Sequence, residues 1–179
     1  NDSIQLKAMM REICKTFGTE LRMTGHQSII VTDVEPDQKD QLIEIIQRHN
    51  VPTTEDTSTV RRWSMACVAL PTCGLAITES ERRLPSLMDD LEQPLAKLGL
   101  DKERFTIRMT GCPNGCARPY NADIALVGKA KDKYTLYAGG GWLGNRLAYI
   151  YKDLVPSADL ANEIIAIAGA FKANANDGE

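Results

Sequence analysis

The chain has 179 residues, 43% of them hydrophobic and 25% charged, enough to bury a core in one domain or two small ones. A formal net charge of −3 gives no general footing for nucleic acid, leaving only local basic groups such as Arg61-Arg62 or residues 104–108. No run of about 18 apolar residues marks a membrane span, and no secretory or transit pattern opens the chain, so no membrane is expected and cytoplasm is the expected compartment.

In chain order, Leu6, Met9, Met10, Ile13, Cys14 and Phe17 recur at helical spacing. They predict an amphipathic helix over residues 4–17, with Asp2 or Ser3 as cap and Gly18 as stop. Cys14 falls on its apolar stripe and reads as a small buried hydrophobe. The abrupt start before this helix suits a boundary inside a longer gene product. Strands are predicted at 20–23 and 28–33 around a turn holding Gly25 and His26, followed by a helix over 36–48 with Pro36 at its first position. His49, at that helix end, suits an ordinary dipole contact.

Helix, strand, strand, helix through residue 52 predicts half of a small α+β module whose sheet lacks its other half. The polar run Thr53-Thr54-Glu55-Asp56-Thr57-Ser58-Thr59 predicts a linker. Beyond it the pattern predicts a helix over 86–98, bent near Pro94, and strands at 105–109, 124–129 and 134–138. A closely approached turn at Gly139-Gly140-Gly141 then precedes helices over 143–152 and 157–172, with a frayed tail from residue 173. Trp63 and Trp142 read as packing residues.

Five cysteines are an odd number, poorly matched to a complete disulfide framework. Four form two pairs, Cys67-x5-Cys73 and Cys112-x3-Cys116, both in loops rich in Pro and Gly. Such loops can turn backbone amides toward anionic sulfurs, and four thiolates are the usual donors to an iron–sulfur cube. Four thiolates also make a closed zinc site, although structural zinc usually takes tighter knuckles than the first pair offers. On spacing alone, iron–sulfur, zinc and buried or redox thiols all stay open.

The segment Ser64-Met65-Ala66-Cys67-Val68-Ala69-Leu70-Pro71-Thr72-Cys73, followed by Ala76-Ile77-Thr78-Glu79-Ser80-Glu81-Arg82, resembles the first cluster motif of the siroheme-containing sulfite and nitrite reductases, sulfite reductases in particular. Met109-Thr110-Gly111-Cys112-Pro113-Asn114-Gly115-Cys116-Ala117-Arg118-Pro119 resembles the second. Arg22-Met23-Thr24-Gly25-His26-Gln27 is similar to the family's Arg-x-Thr-x-x-Gln segment.

The resemblance implies an α+β fold: a ferredoxin-like half-module, residues 1–52, then an α/β siroheme and [4Fe–4S]-binding half-domain with a mixed sheet, residues 60–179. It implies that Cys67, Cys73, Cys112 and Cys116 ligate the cluster, their loops converging in space. Cys116 would also ligate the siroheme iron, which makes it the catalytic residue. Asn114, Arg118, Gln27 and Arg22 become candidates for cofactor contacts. Their ordinary alternatives are a turn former, a cap on local carbonyls and solvated strand ends.

The implied activity is the six-electron reduction of sulfite to sulfide in sulfur assimilation, with nitrite to ammonia as the alternative. The implied partners are the N-terminal half of the same enzyme and a ferredoxin or flavoprotein reductase as electron donor. Alone, the chain is expected to be inactive. A non-catalytic zinc- or cluster-binding module is the reading of a different class.

Overall fold

Helix α1 (Leu6–Phe17) follows its apolar spacing and stops at Gly18, whose left-handed φ of 65° lets its amide reach the Cys14 carbonyl at 3.0 Å. The computed structural model describes residues 3–175. The proposed Asp2 cap and the tail from residue 176 therefore lie outside the described residues, and Gln5 stands at the N-cap without a side-chain cap bond. Cys14 is half-buried rather than buried.

Strands β1 (Leu21–Met23) and β2 (Ile29–Val31) pair antiparallel, with Arg22 opposite Ile30. They are shorter than expected because the turn draws in its own flanks: Thr24 Oγ1 accepts from the amides of His26 at 3.3 Å and Ser28 at 3.0 Å. A 3-10 turn at Pro36–Gln38, closed by a Glu35/Gln38 capping box, leads into α2 (Lys39–Arg48). Met9 and Ile13 of α1 meet Ile45 of α2 in a small core. Together these elements form the first of two units, Asn1–Thr57, the second being Ser58–Glu179.

The second unit begins with two elements too short to show a periodicity, α3 (Thr59–Arg62) and β3 (Ser64–Ala66). Helix α4 (Leu84–Lys97) continues through Pro94 instead of breaking there, with Leu91 and Leu95 buried on either side of it. Strands β4 (Ile107–Thr110), β5 (Ile124–Ala130), β6 (Lys133–Ala138) and β7 (Tyr149–Pro156) follow, and α5 (Leu160–Asn174) ends the unit.

The helix expected over 143–152 is absent, and β7 occupies its second half. Gly144, at φ 83°, breaks any helix start there, while Tyr149, Ile150, Tyr151 and Val155 suit a strand pairing back on β6. The five strands lie in the order β3-β4-β5-β6-β7, the first three parallel and the last three antiparallel to their neighbours.

One face of this mixed sheet, carrying Ala66, Ile107, Met109, Ile124 and Leu126, packs against α4 and α5 in the main core. By strand alternation Met65, Arg108, Thr110, Ala125 and Val127 occupy the opposite face, and all five are buried as well. Burial on both faces is what parallel strands require. Helix α4 lies in the connection from β3 to β4. The next connection, residues 111–123, is close to the minimum of about a dozen residues for a parallel crossover. It is irregular apart from a 3-10 turn at Pro119–Asn121.

Candidate metal centre

Both cysteine pairs follow from this strand arrangement. Cys67 is the first residue after β3, and Gly111-Cys112 the first after β4, so both loops leave the same end of neighbouring parallel strands. The Cys67 amide still donates to the Met109 carbonyl at 3.1 Å, extending the ladder by one residue. The Gly111 amide donates to Cys67 Sγ at 3.3 Å, so the first residue of the second loop is tied to the sulfur of the first.

The loops also interlock through their backbones. Gly111's carbonyl accepts from the amides of both Ile77 (2.8 Å) and Thr78 (3.1 Å), on the chain just past Cys73. A Cβ on Gly111 would lie 2.6 Å from both Ala69 Cβ and the Thr78 carbonyl oxygen, so only glycine permits this crossing. Within the first loop the Cys73 amide bonds the Ala69 carbonyl at 2.7 Å, and Ala69 is fully buried with a positive φ of 45°.

The second loop is braced from beneath by a residue that the sequence marked only as part of a local basic patch, Arg108. Arg108 is 1% exposed and donates from its terminal guanidinium nitrogen to the Arg118 carbonyl at 2.8 Å and to Asn121 Oδ1 at 2.6 Å. Burial, reinforced by the nearby Arg118, pulls its pKa below the usual arginine value. The available signal was an arginine placed among the apolar residues of the Ile107-Arg108-Met109 strand. Tyr120 donates to the Pro113 carbonyl at 2.8 Å, closing the loop across Cys116, and burial raises its phenol pKa.

All five cysteines are free thiols; Cys112 is buried, Cys67 and Cys73 are half-buried, and Cys116 is exposed. Among the described residues, no three Cys, His, Asp or Glu side chains form a group that could hold a metal ion. The loops converge, but their thiols do not surround one point. A single zinc ion needs all its ligands at one centre, whereas a cube offers a separate iron to each of four thiolates.

The local chemistry fits the cube. Its donors would be thiolates, one already bonded by a backbone amide, and Thr110 Oγ1, at the strand end before Gly111, is buried with no hydrogen-bond partner. Asn114 and Arg118 lie exposed on the second loop, Arg118 at a positive φ of 53°. Arg22 and Gln27 are exposed on the hairpin of the first unit. His49 contacts a side chain rather than only a helix end: its Nε2 lies 2.7 Å from Glu12 Oε2.

Residues 3–49 match the family model described as the nitrite/sulfite reductase ferredoxin-like half domain. Over 178 residues the chain is 44% identical to the sulfite reductase [NADPH] hemoprotein beta-component of Methylocella silvestris, covering 99% of this chain and 31% of that protein. The proteins of the same name from Staphylococcus haemolyticus and Bacillus subtilis are 44% and 39% identical over 91% and 99% of the chain, which spans 28% and 31% of their lengths. The structure of the Mycobacterium tuberculosis NirA protein superposes with a TM-score of 0.81 at 23% identity, over 96% of this chain and 33% of that one, and so shares its fold.

A mixed α+β chain with these motifs belongs to the nitrite and sulfite reductase family. Within that family, the curated relatives it matches are sulfite reductase hemoproteins, and it spans about 30% of their length.

Proposed function

We propose that this chain is the C-terminal, cofactor-holding part of an assimilatory sulfite reductase. The carrying observation is the interlock of two cysteine loops at the ends of adjacent parallel strands, fixed where Gly111 crosses the first loop. Cys67, Cys73, Cys112 and Cys116 would hold a [4Fe–4S] cluster, and the exposed Cys116 thiolate would be shared with the siroheme iron. When bound, these groups supply electron transfer to sulfite and its six-electron reduction to sulfide.

The chain's own part is to preorganise the donors. Arg108 and Tyr120 hold the second loop in shape, the Gly111 amide bonds the Cys67 sulfur, and Thr110 offers a buried hydroxyl at the strand end that leads into Gly111-Cys112. Asn114 and Arg118 on the same loop, and Arg22 and Gln27 on the hairpin, are proposed contacts to siroheme carboxylates or cluster sulfurs. The N-terminal half would complete the substrate site. Electrons would come from a flavoprotein component or a ferredoxin, in the cytoplasm. In the relatives' names, NADPH favours the flavoprotein donor, and the words sulfite reductase favour sulfite over nitrite.

Anaerobic reconstitution of the chain with iron and sulfide tests this reading. The expected product holds iron and acid-labile sulfide in equal amounts, and Cys73→Ser or Cys112→Ser lowers both. One zinc per chain that resists replacement by iron overturns it. With siroheme and reduced viologen, the chain alone should not turn over sulfite, because the groups that hold the anionic substrate are proposed to come from the N-terminal half.

A further inference from the structure

The sheet edge opposite β3 presents an apolar surface, and the loop before its strand is tied to the connection that carries the second cysteine pair, the Ala148 amide donating to the Tyr120 carbonyl at 2.7 Å. Leu143, Leu147, Tyr149, Ile150, Tyr151 and Leu154 are all exposed, the two leucines of the preceding loop at 72% each. The pairing with β6 explains why β7 shows apolar side chains on both faces. Lys152 pairs with Leu136 but Val155 with Tyr134, so β7 carries an extra residue there, and a second shift follows between Leu136 and Tyr137. These bulges break the alternation of buried and exposed positions, and Leu154 adopts a φ of 55°. Beside the strand, Tyr149 and Tyr151 join Phe105, Ile167 and Phe171 around a cleft of about 440 Å³.

The charged side chains of this stretch already have partners on the chain. Arg146 donates to the Gly139 carbonyl at 2.7 Å, Lys152 pairs with Glu163 at 2.5 Å, and Asp153 accepts from Thr135 Oγ1. Apart from Asn145 and the tyrosine hydroxyls, what is left to offer another surface is apolar, and an exposed apolar edge of this kind marks a missing contact. The relatives carry that contact's source: this chain spans 31% of the Methylocella silvestris protein, leaving more than twice its own length uncovered.

We infer that the surface over residues 142–154, with its neighbouring cleft, is an intramolecular docking face that receives an apolar face of the polypeptide the longer relatives carry and this chain does not. The inference rests on the proposal that the chain acts as part of a longer reductase, and it adds where the rest attaches. The bulges suit side-chain packing better than addition of a further regular strand.

Hydrogen exchange on this chain and on the full-length Methylocella silvestris relative tests it. The loop amides of Leu143, Asn145 and Leu147, which stand outside the β6–β7 ladder, should exchange fast in the chain, and the aligned amides at least about tenfold more slowly in the relative. Leu143→Asp/Leu147→Asp should leave the melting temperature of this chain unchanged, while the same double change at the aligned positions lowers that of the full-length relative. Fast exchange in both proteins overturns the inference, as does slow exchange in the chain alone. A dimer of this chain that Leu143→Asp/Leu147→Asp dissolves would make a second copy the occupant instead. None of these readings depends on iron, so a failed reconstitution and a failed docking face are told apart.

Discussion

The two units bury their apolar residues on different scales. In the second, β4 and β5 are covered on both faces, and the core runs from Val60 through the two long helices to Ala168. In the first, a two-stranded hairpin leaves Met23 80% and Ile30 52% exposed, and three buried residues, Met9, Ile13 and Ile45, carry the core. A lone hairpin is marginal in water, so the first unit's stability depends on its two helices and on polar contacts between them. The teaching is that the cysteine loops stand on a rigid base, whereas Arg22 and Gln27 stand on the weaker unit.

The largest expected effect separates the units directly. Leu91→Ala, at a fully buried site, should cost about 3 kcal/mol of the second unit's stability, measured by tryptophan fluorescence in urea. Both tryptophans, Trp63 and Trp142, belong to that unit. Ile13→Ala, equally buried, should leave the fluorescence transition in place while hydrogen exchange across α1 accelerates. A shared shift of both probes would break the comparison.

Next in size is Gly111→Ala. The new methyl meets Ala69 and the Thr78 backbone, and separating the loops should cost about 2 kcal/mol and depress iron loading after reconstitution. Loading equal to the unsubstituted chain would show that the loop crossing does not organise the donors.

A pH-dependent effect belongs to the first unit alone. Glu12 is held below its ordinary value of 4.5, chiefly by the hydrogen bond with His49 and further by Arg48. A carboxylate with a lowered folded pKa stabilises the fold above its unfolded value, and that stabilisation is lost as pH falls through the folded value. Protection of α1 and α2 against hydrogen exchange should therefore fall as the pH drops below 4.5, and Glu12→Gln should flatten that dependence. The smallest effect is Cys14→Ser: at a half-buried position it should change stability by less than about 1 kcal/mol in thermal melts.

Much of this fold was legible where periodicity lasts. The α1 stripe and its Gly18 stop, α4 and α5, and the alternating strands β4 to β6 declare themselves by spacing and turn residues. Elements shorter than a period, α3 and β3, do not, and β7 was hidden because its bulges erase alternation. In the site, the cysteines stood out by spacing and motif. Arg108 did not, because a buried arginine is intelligible only once the carbonyl of Arg118 and the amide of Asn121 are known to lie above it.

The order of the two loops along the chain also has a consequence for biosynthesis. Cys73 precedes Cys112 by 39 positions (112 − 73), and the crossing that fixes the first loop needs Gly111, made just before Cys112. At about 5–20 residues per second on the ribosome, Cys67 and Cys73 wait some ~2–8 seconds for their counterpart strand to be synthesised. During that interval the first pair has no crossing strand to hold it. If the four cysteines hold the proposed cluster, the topology lets it be completed only after the second loop has been made.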